Sequence, residues 1–120
     1  MFKIDEKTKR VLLTRGNKAK FTIKIENKDK TYYQFKVGDK VSLGIYENKN
    51  YQSLKLKKEV IVAEAGDSVD LILTKEDTKL DDPINKPKDY WYEVELNDEE
   101  TIVGYDDAGA KIFTLYPEGE

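Results

Sequence analysis

Apolar and polar residues alternate along much of this chain, and this pattern limits the possible folds more than any other property of the sequence. Four segments show it clearly, at 21–26, 41–45, 69–73 and 90–96, and four more show it weakly, at 10–14, 54–63, 101–105 and 111–116. Side chains of a β-strand point alternately to opposite faces, so each segment is predicted to form a strand with one face on a core and the other in water. Eight such strands at this spacing are typical of a β-sandwich or a β-barrel.

Helices long enough to join parallel strands are not predicted anywhere between these segments. A single helical turn is predicted at 74–80, capped by Thr74 with Asp77 three residues later, and Pro83 and Pro87 prevent its continuation. Parallel neighbours in a sheet need crossover connections of a dozen or more residues, usually helical. The sequence therefore predicts an all-β domain with antiparallel strands.

Cysteine and histidine are both absent from the 120 residues. Their absence excludes disulfides, thiolate metal sites and cysteine catalysis, and it removes the commonest general base and transition-metal ligand. Carboxylate pairs remain, and Glu93 and Glu95 share one face of the predicted strand 90–96. Because acidic pairs on a water-facing strand are usually a solvated surface, we expect a protein that is not an enzyme and uses no cofactor.

Acidic loops raise the alternative of a calcium site, since Ca²⁺ takes oxygen ligands. The candidates are Asp77, Asp81-Asp82, Asp98 and Asp106-Asp107. None of them falls in the twelve-residue pattern of an EF-hand loop. We assign no metal site, and calcium is an alternative that the residues leave open.

The charge balance argues against nucleic acid as a partner. The chain has 21 basic and 24 acidic residues, a net charge of −3, and only two arginines, Arg10 and Arg15. A phosphate backbone attracts proteins with a positive field, and bidentate recognition of bases depends on arginine. No apolar run is long enough to span a bilayer, and the first residues lack the apolar segment of a signal peptide. We expect neither nucleic-acid binding nor membrane insertion.

Trp91 is the first candidate for a binding residue. If Tyr90, Tyr92 and Val94 face the core, the alternation places Trp91 on the opposite face of the strand. An outward tryptophan can stack on a sugar or anchor a protein interface. The alternatives are that the phase of the strand shifts by one residue, or that a neighbouring element covers the ring.

Three of the eight tyrosines are further candidates. Tyr32 faces away from the core-directed Tyr33, while Tyr46 and Tyr51 flank the polar loop 47–50. Tyrosine is favoured in interfaces because it supplies contact area at a low entropic cost, although single exposed aromatics are also ordinary in strands. Tyr90 or Tyr92 is predicted instead to form a tyrosine corner, a structural role in which the hydroxyl bonds backbone near the preceding loop.

Short motifs along nearly the whole chain carry a resemblance to a known family. They are the segment 14–23 with its Arg15-Gly16-Asn17 turn, Val37-Gly38-Asp39-Lys40-Val41, Ala65-Gly66-Asp67, the stretch 71–78, the strand at 90–94 and Phe113-Thr114-Leu115. In these motifs the chain resembles small immunoglobulin-like structural proteins of phages and prophages of Gram-positive bacteria. It is similar to the N-terminal domain of the upper baseplate protein family. The usual turn of that family is Arg-Gly-Asp, and Asn17 departs from it while keeping the turn chemistry.

The resemblance implies a fold and a role. The fold is a single immunoglobulin-like antiparallel β-sandwich of about seven to eight strands over residues 1–120, with 116–120 as a flexible tail. The role is that of a non-enzymatic phage or prophage structural protein, an adaptor or decoration domain of a baseplate or tail fibre. It would be made in the bacterial cytoplasm without a signal peptide and would reside in the virion or a tail-like particle. Its partners would be other tail, baseplate or fibre proteins, with self-association left open.

Two alternatives come from other classes of protein. The first is a carbohydrate-binding module that recognises host-surface glycans through Trp91. The second is an immunoglobulin-like domain of a bacterial surface protein.

Overall fold

The computed structural model describes residues 1–118, and within this range the chain forms nine β-strands and no helix. The strands are β1 (Phe2–Ile4), β2 (Val11–Thr14), β3 (Ala19–Ile23), β4 (Lys40–Asn48), β5 (Gln52–Ile61), β6 (Val69–Leu73), β7 (Lys88–Leu96), β8 (Glu100–Val103) and β9 (Lys111–Tyr116). All eight predicted strands form. The three-residue β1 is additional, because it is too short to show an alternation in the sequence.

Two sheets pack face to face and make the domain an all-β sandwich. The larger sheet has the order β1-β2-β9-β7-β4-β5, with β8 paired to the end of β7 beyond β9, and the smaller sheet is the pair β3-β6. Buried side chains of both sheets form one core. The β9-β7-β4-β5 row opposite an antiparallel pair agrees with the strand order of immunoglobulin-like sandwiches.

One pair of strands corrects the prediction that every pairing is antiparallel. β2 and β9 are parallel, with Val11 opposite Phe113 and Thr14 opposite Tyr116. The prediction was wrong because it considered only helical crossovers between strands close in sequence. Here the crossover is the whole of β3 to β8, which is far longer than the dozen residues a parallel connection requires.

The core follows the predicted alternation. On β7, Tyr90, Tyr92, Val94 and Leu96 are buried, while the residues between them are half-exposed. The neighbouring central strand β4 buries Val41, Leu43 and Ile45 beneath the small sheet, which contributes Phe21, Leu71 and Leu73. Because β7 is bonded on both sides, its inward and outward faces are held in a fixed register.

The predicted capped turn at 74–80 is present. The Thr74 amide donates to Asp77 Oδ2 at 2.8 Å, and the Asp77 amide donates to Thr74 Oγ1 at 3.2 Å, which is the reciprocal pattern of a capping box. The predicted tail 116–120 overlaps the sheet, because Tyr116 is the last residue of β9. Glu118 accepts a hydrogen bond from Arg15 at 2.5 Å, and positions 119 and 120 lie outside the described residues.

Candidate functional site

Trp91 lies on the outer face of the larger sheet, as predicted. Its ring is half-buried and shares that face with Glu93 and Glu95. Across the sheet it is opposite Tyr46 on β4 and Ile112 on β9. Directly opposed side chains on one face of a sheet contact each other, so Trp91 occupies the middle of an aromatic and apolar row.

The position of Tyr46 in this row is fixed by its contacts with Gly44 and Glu93. Its ring lies over Gly44, where an added Cβ would approach the ring to 2.9 Å. Its hydroxyl donates to Glu93 Oε1 at 3.1 Å. Burial and the adjacent Glu93 carboxylate raise the pKa of Tyr46 to about 12, and burial also raises the pKa of Glu93. Tyr46 and Glu93 therefore hold each other in place on the sheet.

Tyr51 completes the aromatic group from the β4–β5 turn. Its ring centroid is 5.5 Å from that of Tyr46, with the planes inclined at 58°. The backbone at Tyr51 has φ +58°, a left-handed conformation that is uncommon for a bulky residue. The Tyr51 hydroxyl accepts a hydrogen bond from the Lys111 amide at 3.1 Å, which ties the turn to the start of β9. We call Trp91, Tyr46 and Tyr51 the outer aromatic face.

Two shallow depressions flank Trp91. One of them is lined by Trp91, by the last two residues of β4, Glu47 and Asn48, and by Lys49 and Asn50 of the turn that follows. Tyr105, Gly109 and Ala110 of the β8–β9 connection line the other together with Lys49, Asn50 and Trp91. Tyr105 is 72% exposed and was not among the predicted binding residues, because the alternation at 101–105 indicated only a strand. The strand ends at Val103, and the turn that follows places Tyr105 on the surface.

Tyr32 lies apart from the outer aromatic face. It belongs to the connection between β3 and β4 and is 40% exposed. The Lys24 ammonium lies 5.0 Å from the centre of its ring, a cation–π contact. The structure thus brings three of the four predicted aromatic residues together and separates the fourth.

The two tyrosines on the inner face of β7 use their hydroxyls structurally. Tyr90 donates to Asp81 Oδ2 at 2.7 Å, in the connection that precedes β7. Tyr92 donates to the backbone carbonyl of Lys9, in the β1–β2 turn. Both hydroxyls therefore have a structural role, but neither forms the predicted tyrosine corner. Tyr90 bonds a side chain in the preceding connection, and Tyr92 bonds backbone in a different turn.

The acidic loops do not converge. Within residues 1–118, no group of three or more acidic side chains is arranged to hold a metal ion. Asp106 is instead bonded to the Lys111 ammonium at 2.6 Å, and Asp98 to the Lys40 ammonium at 2.5 Å.

The described residues include no helix of the length and hydrophobicity that a membrane span requires.

No protein-family model, no curated protein and no solved structure matches this chain.

Proposed function

We propose that this protein is a non-enzymatic binding domain that attaches to a partner protein through the outer aromatic face. The observation that carries the proposal is the position of Trp91, half-exposed at the centre of a sheet face and flanked by the packed pair Tyr46 and Tyr51. Tryptophan and tyrosine dominate binding energy at interfaces. Aromatic side chains already held by hydrogen bonds lose little freedom on binding, which lowers the cost of association.

In the wider role suggested by the sequence resemblance, the partner is a component of a phage tail. The protein acts as an adaptor or decoration domain of a baseplate or tail fibre, in an infectious phage, a defective prophage or a bacteriocin-like tail. A sandwich with one rigid binding face is compatible with such a role, since neither catalysis nor a bound metal is needed for it. Fold alone does not fix function, so the partner has to be tested directly.

The test is recovery of the protein with tail particles purified on a density gradient. We expect wild type to co-purify in a fixed ratio to baseplate proteins. Trp91→Ala should lower its recovery about 30-fold, the effect of losing roughly 2 kcal/mol at an interface hot spot. Tyr32→Ala is the matched control, since Tyr32 is an exposed aromatic residue away from the outer aromatic face, and it should leave recovery unchanged. Wild-type protein found only free in the lysate would overturn the phage role.

A specific observation favours a second candidate, glycan binding. Asn48 and Asn50 line the depression beside Trp91, so amide groups that can bond sugar hydroxyls lie next to a ring that can stack on a sugar face. Trp91 is the sole tryptophan, so its fluorescence reports on the surface that the two depressions share. Saturable quenching by host-surface glycans, lost in Asn50→Ala, would support the carbohydrate-binding alternative. Titrations without any change in emission would eliminate it.

A further inference from the structure

An apolar crevice opens between the two sheets, on the side of β7 opposite the outer aromatic face. Its volume is about 190 Å³. Phe21 and Ile23 of β3 form one wall, Ile102 and Val103 of β8 form the other, and Val94 of β7 is part of the floor. Trp91 points to the outer face of β7 while Val94 is buried on the inner face, so the crevice is separate from the binding site proposed above.

The crevice runs along a strand edge that has no neighbour. Among the described residues, β3 pairs only with β6, and β8 pairs only with β7. In an antiparallel pair, alternate residues direct both their N–H and C=O groups away from the partner strand. The crevice is lined by residues 21–23 of β3 and by Lys24, which follows the strand, whereas from β6 only Leu71 lines it. The free backbone groups of β3 are therefore presented to the crevice.

The crevice exists because the smaller sheet is too narrow to cover the inner face of the larger sheet. Two strands face a row of six, since β1 and β2 join the larger sheet and do not extend the smaller one. Ile102 and Val103 consequently pack against the core from one side and remain half-exposed on the other. An additional strand beside β3 would cover both residues and satisfy the free backbone groups, as in strand addition to an open sheet edge.

The charge around the crevice indicates which kind of strand fits. Its charged lining residues are Lys9 and Lys24, and no carboxylate lines it. Neither ammonium group lies within 4.0 Å of a carboxylate of the described residues, and that of Lys24 lies 5.0 Å from the centre of the Tyr32 ring. Two cations without acidic partners beside an apolar slot favour a segment with carboxylates next to its apolar side chains.

We propose that the crevice binds an extended segment of a partner protein as a third strand of the smaller sheet, along β3. Alternate apolar side chains of the segment enter between the sheets, and its acidic residues pair with Lys9 and Lys24. A second copy of this chain fits less well. Antiparallel pairing of two β3 edges would bring Lys20 and Lys24 of one copy beside the same lysines of the other, and like charges opposite each other destabilise a sheet.

The test uses two synthetic peptides with Val at alternate positions, Thr between them, and either Glu or Lys at both ends. Binding is followed by backbone and methyl NMR of the full chain. We expect the Glu-ended peptide to bind about tenfold more tightly than the Lys-ended one at low salt, the sum of two exposed ion pairs. Hydrogen exchange of the β3 amides should slow, and the methyl signals of Val94 and Val103 should shift.

A charge reversal supplies the decisive comparison. The double variant Lys9→Glu and Lys24→Glu should prefer the Lys-ended peptide, and both lysines are exposed, so the fold should be retained. The variant Lys75→Glu and Lys86→Glu makes the same charge change at exposed positions elsewhere and should keep the wild-type preference. Trp91→Ala should also bind the Glu-ended peptide normally, which separates this site from the outer aromatic face.

Three results would overturn the proposal. The first is no shift at β3 or β8 with either peptide at millimolar concentration. The second is binding whose preference is unaffected by the charge reversal. The third is a wild-type dimer in sedimentation experiments with its contacts on β3, which would show that a second copy of the chain occupies the crevice.

Discussion

At the scale of single residues, the turn Arg15-Gly16-Asn17 is held by groups far away in the sequence. Arg15 is 7% exposed, and its guanidinium donates to the Asp81 carbonyl at 2.9 Å and to Glu118 Oε1 at 2.5 Å. Gly16 has φ +84°, a conformation that glycine adopts without strain. The Thr78 hydroxyl accepts from the Gly16 amide at 3.0 Å and lies 2.9 Å from the Asn17 carbonyl, to which it can donate. The turn that contributes to the family resemblance therefore serves as a structural junction.

Replacing Thr78 by valine tests this junction. Valine keeps the shape of threonine but removes the hydroxyl, so the Gly16 amide loses a hydrogen-bond partner in a place where Thr78 is 1% exposed. We expect the free energy of unfolding in urea to fall by about 1–3 kcal/mol, the cost of a buried polar group without its partner.

Thr22→Val is the matched control. The Thr22 hydroxyl bonds Asp70 Oδ1 at 2.9 Å, but the pair is exposed, so water can replace either partner. The loss should be within about 0.5 kcal/mol. Equal effects at the two positions would show that the junction contributes no more than an exposed hydrogen bond.

At the scale of elements, the neighbouring strands β4 and β5 differ in position and in the contacts of their outward side chains. β5 forms the edge of the larger sheet, and its lysines are engaged in ion pairs, with Lys58 2.8 Å from Asp77 and Lys55 2.9 Å from Asp81. Lysines on an edge strand discourage unwanted pairing with other chains. β4 lies between β5 and β7, and its Gly44 leaves the space that the Tyr46 ring occupies on the outer aromatic face.

Gly44→Ala should displace Tyr46 without unfolding the sheet. The new Cβ would come within 2.9 Å of the ring, which is the movable end of a side chain, so the ring shifts and its hydrogen bond to Glu93 breaks. With less burial and no adjacent carboxylate, the pKa of Tyr46 should fall from about 12 towards its ordinary value of 10.0. The measurement is an NMR titration of the tyrosine rings, with Tyr46→Phe to assign the signal. An unchanged Tyr46 titration in Gly44→Ala would show that Gly44 does not position the ring.

At the scale of the whole molecule, aspartates with lowered pKa values join separate elements of the sandwich. A hydrogen bond from Lys55, followed by one from the Tyr90 hydroxyl, lowers the pKa of Asp81 to about 2 in spite of its partial burial. Bonds from Lys40 and Lys111 lower the pKa values of Asp98 and Asp106. A carboxyl group whose pKa is lower in the folded than in the unfolded chain stabilises the fold only while it is ionised.

The sandwich should therefore lose stability in acid. The contribution of Asp81 is complete above its ordinary pKa of 3.8 and is lost as the pH falls from there to about 2. We expect the free energy of unfolding in urea to drop across this window, with a part of the loss coming from Asp81 that solvent screening at this exposed position reduces. Burial raises the pKa of Glu93, so this group destabilises the fold when it is ionised. It is one group, whereas Asp81, Asp98 and Asp106 all have lowered pKa values.

Asp81→Asn isolates this contribution. The variant should be less stable than wild type at neutral pH, and its stability should change less between about pH 4 and pH 2. Asp82→Asn, at the exposed neighbouring position, should keep the wild-type pH profile. Parallel profiles for wild type and Asp81→Asn would show that the Lys55 and Tyr90 contacts do not govern acid stability.

The positions of the strands and the faces of their side chains can be predicted from local sequence. Alternation is a local property, so it identified eight strands, the burial of Tyr90, Tyr92, Val94 and Leu96, and the outward position of Trp91. It also located the capped turn at Thr74, because its two hydrogen-bonding residues are only three positions apart. Each of these features depends on residues within one element.

Which elements contact each other depends on the three-dimensional arrangement of the chain. The parallel β2–β9 pair, the contact of Tyr46 and Tyr51 beside Trp91, the separate position of Tyr32 and the exposure of Tyr105 all follow from strand order and from the course of turns. The crevice along β3 has the same origin, since it exists because β1 and β2 joined the other sheet. Alternation specifies the face of each side chain, but it carries no information on which strand becomes its neighbour, because pairing joins residues that are distant in the sequence.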